Sequence, residues 1–88
     1  MPELIRVYQY DRNYGTAFSI SKRRTMELSS IRLAARELGV HRNTMEYRLK
    51  KFNEISGITT YTAAVTQQLL FSYKILDLFP ALIDEVVL

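Results

Sequence analysis

The chain contains no cysteine and no tryptophan, one histidine, two prolines and three glycines. Each shortage narrows what it can be. Without cysteine there is no disulfide, no thiolate nucleophile and no cysteine-ligated zinc, and the composition suits a reducing cytoplasm. The lone histidine, His41, has no cysteine and no clustered acids beside it in sequence, so it does not build a metal site. Gly-rich phosphate loops and nucleophile motifs are missing. No apolar stretch approaches the roughly 20 residues of a membrane span. The first residues lack the basic-then-apolar order of a signal peptide. There is no internal repeat and no low-complexity segment. No acid, base and nucleophile converge, so an enzyme is not expected, and neither a cofactor nor a small-molecule site is implied.

What remains is the material of one small domain, or a domain with an arm. The 88 residues are 48% hydrophobic and include six Tyr and four Phe, enough apolar volume for a core. The formal net charge of +3 is unevenly spread. Between Lys22 and Lys51 there are nine Lys/Arg and three acids, for +6, whereas Met1–Ser21 sums to 0 and Phe52–Leu88 to −3. A basic patch of this kind is the electrostatic footprint of phosphate contacts.

The patch coincides with the most structured reading in the chain, Ser29–Lys51, SSIRLAARELGVHRNTMEYRLKK. Ser29 or Ser30 suits an N-cap, because its side-chain oxygen can accept from a backbone N–H of the first turn. Ile31, Ala34, Ala35 and Leu38 follow at helical spacing, with Arg32, Arg36 and Glu37 on the other face. Gly39 stands where a helix end favours positive φ, and Val40 plugs the corner. A second helix starts near Arg42. Its inner face is Met45, Leu49, Phe52 and Ile55, and Arg42, Asn43, Glu46, Tyr47 and Lys50 point outward. Ala35 is small where two steeply crossed helices approach. The pattern is a helix-turn-helix. Most such hairpins bind nothing, and a basic helix face is more often merely solvated. The concentration of charge on this one favours duplex DNA.

Two words within this region, VHRNT and YRLKK, and a third just after it, NEISG, followed by an apolar helix, resemble the C-terminal DNA-binding domain of the PucR family of bacterial transcriptional regulators. The AAREL-GV-RNT portion also looks like the recognition element of the factor for inversion stimulation (Fis). The resemblance spans Ile31 to about Phe79. It implies a transcription factor whose second hairpin helix enters the major groove, with Arg42, Asn43, Thr44 and Tyr47 facing DNA. Members of that family carry this domain at the end of a longer protein with a sensory region, so the chain is expected as a stand-alone binder or a fragment.

Side-chain chemistry suggests roles for these positions. Arg42 can pair bidentately with guanine O6 and N7. Asn43 can read adenine or bond a phosphate, and Thr44 offers a hydroxyl to phosphate and a methyl to thymine. Tyr47, one turn after Asn43, reaches the backbone or a base edge. Ser30, His41, Arg48, Lys50 and Lys51 are candidates for phosphate contacts, which position a protein without reading sequence. His41 is expected either to cap the recognition helix or to touch phosphate. Glu46 would repel phosphate unless it accepts from cytosine N4 or pairs with Lys50 at i+4, and the pair is preferred.

The flanks are less regular, and three segments are expected: an arm over residues 1–28, the hairpin over 29–57 and a packing or dimerisation helix over 58–88. Thr16–Leu28 has poor apolar periodicity. Ile5, Val7, Tyr8, Tyr10, Phe18 and Ile20 are β-branched or aromatic, and Asp11–Gly15 between them is rich in turn formers, so a short N-terminal β-hairpin is the preferred reading. The competing one is a helix from Pro2 to about Arg12, with Leu4, Ile5 and Tyr8 inward. With the hairpin, Lys22, Arg23 and Arg24 lead into a short helix and can touch DNA backbone. After Gly57, Thr62 can cap a helix from Ala63 to about Phe79, ended by Pro80. Its apolar stripe is wide, and Leu82, Ile83, Val86, Val87 and Leu88 extend it. Either the tail is an intramolecular lid, or the surplus is a homodimer surface presenting two recognition helices to a palindrome; the dimer is favoured. The fold class expected is mainly α. The function expected is sequence-specific binding to double-stranded DNA. The alternative is a protein-interaction or oligomerisation module that ignores DNA.

Overall fold

The computed structural model describes residues 1–85, and it is helical wherever it is regular. Five helices follow in order: α1 (Pro2–Tyr14), α2 (Phe18–Leu28), α3 (Ile31–Leu38), α4 (Arg42–Ser56) and α5 (Ala63–Leu78), then a 3₁₀ turn over Pro80–Asp84. No strand occurs among the described residues. The expected N-terminal β-hairpin is therefore replaced by two helices, and the competing helix from Pro2 is the one found.

The reason lies in which faces need covering. As a strand, Leu4–Tyr10 carries apolar side chains on both faces and would leave one to water. As a helix it gathers Leu4, Ile5 and Val7 into the interior, with Tyr8 packed beside them. Pro2 sits in the first turn, where its missing N–H costs nothing. The turn formers of Asp11–Gly15 make a helix-to-helix corner instead of a hairpin loop. Gly15 ends α1 at φ 64° and donates its N–H to Asp11 O at 2.8 Å. The Asp11 carboxylate then caps α2, accepting from the Phe18 N–H (3.0 Å), the Ser19 N–H (2.9 Å) and the Ser19 hydroxyl (2.7 Å).

Helix α2 explains its own poor periodicity. It packs against each of the four other helices. Its interior face includes serines: Ser21 is fully buried and Ser19 nearly so. Their polar atoms are satisfied locally. Ser21 Oγ donates to Ala17 O at 2.6 Å, and Ser19 O accepts from the buried Tyr73 hydroxyl at 2.6 Å. Small hydroxyl residues let helices approach closely while hiding the apolar period that betrays a buried face.

Two clusters form the interior. The larger joins Leu4, Ile5, Val7, Phe18, Phe52, Leu69, Tyr73 and Leu76 from α1, α2, α4 and α5. The smaller, inside the hairpin, is Ala34, Ala35 and Met45, with Leu28, Ile31, Leu38 and Val40 packed around it. Helix α5 starts at the expected cap, where Thr62 Oγ1 accepts from the Val65 N–H at 3.2 Å. The tail acts as a lid on α1: Leu82 and Ile83 pack on the larger cluster, and Gln9 Nε2 donates to Ile83 O at 2.9 Å. Arg12 pairs with Asp84 across the same seam. The remaining residues of the expected apolar tail, Val86, Val87 and Leu88, lie outside the described residues.

Candidate nucleic-acid interface

The hairpin is built from local signals. Ser30 is the N-cap of α3, its Oγ accepting from the Leu33 N–H at 3.1 Å. Gly39 closes α3 at φ 70°, which a side chain would strain. His41 is the N-cap of α4, with Nδ1 accepting from the Asn43 N–H at 3.1 Å. An accepting Nδ1 leaves the ring proton of the neutral imidazole on Nε2, so the exposed side of His41 carries a donor. Ser30 likewise keeps its hydroxyl proton available, because its cap bond uses only a lone pair.

At about 100° per residue along a helix, Met45, Leu49 and Phe52 define the inner face of α4. Met45 and Phe52 are fully buried and Leu49 is half-buried. Asn43, Tyr47 and Lys50 sit opposite, at the crest of the outer face. Arg42 and Thr44 flank them in the first turn. All five are exposed, and Tyr47, a large aromatic, keeps 56% of its surface in solvent. Arg42, Asn43, Thr44 and Tyr47 are thus all exposed in the first two turns of α4.

The charges are arranged differently from expectation at several points. Glu46 pairs with Arg42, Nε to Oε1 at 3.2 Å, not with Lys50. Both partners belong to the first two turns, and the Arg42 fork reaches forward one turn to meet the carboxylate. Arg48 is half-buried and donates to the buried Ser21 Oγ at 3.3 Å, because its position faces α2 and not solvent. Lys51 pairs with Glu54 at 3.3 Å, and that hydrogen bond raises its pKa.

Lys22, Arg23 and Arg24 are not free either. Lys22 lies over the Tyr61 ring at 3.5 Å, and burial lowers its pKa. Arg23 makes a two-bond fork to Asp77 at 2.9 and 3.1 Å, joining α2 to α5; that hydrogen-bonded pairing lowers the Asp77 pKa. Arg24 reaches Glu27 at 3.0 Å and Glu37 at 2.9 Å, joining α2 to α3. Of the +6 read from the sequence, which already subtracts Glu27, Glu37 and Glu46, two charges are therefore matched by carboxylates from outside the stretch, Asp77 and Glu54. Among the described residues, Arg32, Arg36, Lys50 and Lys74 are exposed cations with no carboxylate within 4.0 Å, and the first three lie on the hairpin.

One element beside α4 is invisible in the residue spacing. A row of aromatic rings runs from the α1–α2 corner to the outer face of α4. Tyr14 and Tyr10 have ring centroids 4.5 Å apart, Tyr10 and Phe18 5.8 Å, and Phe18 and Tyr47 6.2 Å. No sequence periodicity links Tyr14 to Tyr47, because the row is completed only where α2 packs on α1 and on α4.

Two short helices joined at a positive-φ glycine, the second with an exposed polar crest, define a helix-turn-helix domain. The comparison with known families agrees. The profile described as the PucR C-terminal helix-turn-helix domain matches residues 26–75. The chain belongs to that family, and so to a class of DNA-binding regulator domains. The match begins near the end of α2 and leaves α1 outside. No curated protein and no solved structure matches the chain.

Proposed function

We propose that this domain binds duplex DNA sequence-specifically as part of a bacterial transcriptional regulator in the cytoplasm, with α4 in the major groove. The observation that carries the reading is the shared exposure of Arg42, Asn43, Thr44 and Tyr47 at the start of a helix whose opposite face is locked into two cores. Arg42 reads a base edge, with guanine the best geometric match. Asn43, Thr44 and Tyr47 complete the base contacts. The His41 Nε2–H, the Ser30 hydroxyl, Lys50 and Lys51 contact phosphates, and the free N–H groups at the start of α4 add partial positive charge there. Arg48 ties α4 to α2 and acts by holding the angle of the recognition helix. Glu46 steers Arg42 until a base replaces it.

The domain works as a homodimer in this reading. Phe71 and Leu78 are one heptad apart on the outer face of α5, 65% and 71% exposed, with Phe79 exposed beside them. Apolar side chains grouped in this way mark interaction surfaces. Helix α5 lies away from the α4 crest, so pairing through it leaves both recognition helices free for a palindromic site.

The test is selection of bound duplexes from a random pool, repeated with Arg42→Ala and Tyr47→Ala. Arg42→Ala is expected to cost about 1–3 kcal/mol and to relax preference at one base position. Affinity should fall steeply with salt. A chain that enriches no sequence, and whose weak binding ignores salt, would overturn the reading. It would leave an interaction module built on α5, which Phe71→Glu and sedimentation would then examine.

A further inference from the structure

We infer that the α1–α2 corner, through Tyr14 and Asn13, is a second contact to the DNA backbone, flanking the recognition helix. The inference rests on the DNA-binding reading above and adds an element outside the residues that the family profile matches.

Position comes first. Tyr14 is 68% exposed, among the most exposed large side chains of the domain, and Asn13 and Gly15 beside it are exposed too. Three ring-to-ring steps, none longer than 6.2 Å, connect Tyr14 to Tyr47 on the α4 crest. The major groove is about 12 Å wide. With Tyr47 in the groove, a group at most a few ring-widths to one side lies over the groove wall, where the phosphates are. Helix α1 packs directly on α4, which keeps the α1 end of the row beside the recognition helix.

Rigidity comes second. Tyr14 is held on Tyr10, which stacks on the buried Phe18, which meets Tyr47 edge-on. The phenol is therefore oriented before binding, so little side-chain entropy is lost on contact.

Charge comes third, and the negative groups of the corner are already satisfied, as is Glu54 on the neighbouring α4. The Asp11 carboxylate is drawn inward by three N–H or hydroxyl donors of α2 and by the Thr16 hydroxyl. Glu54 is paired with Lys51. The carbonyl end of α1 is closed by Gly15 and Thr16, whose N–H groups both donate to Asp11 O. With these satisfied, the outward groups at the corner are neutral donors: the Tyr14 hydroxyl and the Asn13 amide. Neutral donors to phosphate position a protein without displacing counterions.

The test uses the full chain and a labelled mixed-sequence duplex about three helical turns long, titrated at several salt concentrations. Tyr14→Phe keeps the ring and removes only the hydroxyl. It is expected to weaken binding about tenfold, the scale of one hydrogen bond to a charged group. The loss should be equal across sequences, with the salt slope unchanged. Lys50→Ala, in contrast, should flatten that slope by about one. Thermal melts of Tyr14→Phe should match the parent, because Tyr14 is largely exposed and its hydroxyl makes no side-chain hydrogen bond among the described residues. Unaltered binding by both Tyr14→Phe and Asn13→Ala, alongside weakened binding by Lys50→Ala, overturns this inference and leaves the DNA reading intact. A parent chain indifferent to the duplex overturns both.

Discussion

The hairpin and the base of this domain are stabilised in opposite ways. The base, made by α1, α2, α5 and the C-terminal half of α4, has a core of large side chains: Phe18, Phe52, Leu69, Tyr73 and Leu76. The hairpin has three fully or nearly buried residues, and two of them are alanines. Its shape depends on Ser30, Gly39 and His41 at helix ends, on one ion pair to α2 and on the Arg48 hydrogen bond to Ser21. A thin core lets α3 and α4 cross closely and leaves most of their circumference to solvent. A thick core gives the stability that such a hairpin cannot supply by itself. The hairpin is thus anchored by the base, through α4, which belongs to both.

The largest effects should separate the two regions. Phe52→Ala removes a fully buried ring from the base and is expected to cost about 3–5 kcal/mol. That is a large share of the roughly 5–15 kcal/mol typical of whole domains, so urea denaturation should show the domain close to unfolding in buffer. Met45→Ala in the hairpin should fall near the lower end of about 2–5 kcal/mol, because a small cluster near the surface can collapse around the gap. Equal losses would show one continuous core in place of two.

Overpacking should discriminate further. Ala35 is 4% exposed at the α3–α4 crossing. Ala35→Leu forces the helices apart, at a cost of about 1–3 kcal/mol. DNA affinity should drop more than this stability loss explains, because the tilt of α4 changes while the base stays folded. The check is to measure binding well below the melting temperature, where a variant of unchanged affinity would show that the crossing does not aim the recognition helix.

The same division decided what could be read from residues alone. The hairpin was legible because its signals are local. Ser30, Gly39, the periodic Ile31–Leu38 face and Thr62 before α5 each act within one turn of the chain, and each stands where expected. The exposure of Arg42, Asn43, Thr44 and Tyr47 followed from the same periodicity. The N-terminal third was not legible. Its β-branched and aromatic residues favour strands in isolation, and tertiary burial overrides that preference. Ser19 and Ser21 hide the buried face of α2, and Asp11 caps a helix from seven and eight residues away. Charge was legible in amount but not in availability. Nothing local shows that Arg23 meets Asp77 or that Lys22 lies over Tyr61.

Smaller effects should come from the caps. Ser30→Ala and Thr62→Ala each remove one side-chain acceptor from a first-turn N–H, for about 1 kcal/mol apiece. The two should be equal in a thermal melt yet differ in binding. Only Ser30 borders the hairpin, so only its loss should weaken DNA affinity. A matching binding defect in Thr62→Ala would mean that α5 positions α4 more directly than the packing suggests.

The smallest effect is a change in the shape of the pH profile. Burial raises the Tyr61 hydroxyl to about 12, and burial also raises Tyr8 and Tyr73 above their usual value of about 10. A folded state that holds these protons more tightly than the unfolded chain has that advantage in full below the unfolded value. It loses the advantage as pH rises towards the folded value. Stability should therefore fall between about pH 10 and 12. Lys22 acts in the opposite sense. Burial lowers its pKa, so its charged form disfavours folding, and that penalty lifts as pH approaches the ordinary lysine range. Tyr61→Phe should shallow the alkaline fall, whereas Lys22→Met should remove any gain that precedes it and leave the fall in place. Because all four groups belong to the base and its linker, hairpin variants such as Met45→Ala should shift the whole curve down without changing its shape. A change of shape in Met45→Ala would mean that the smaller core also governs how deeply Lys22 and Tyr61 are buried.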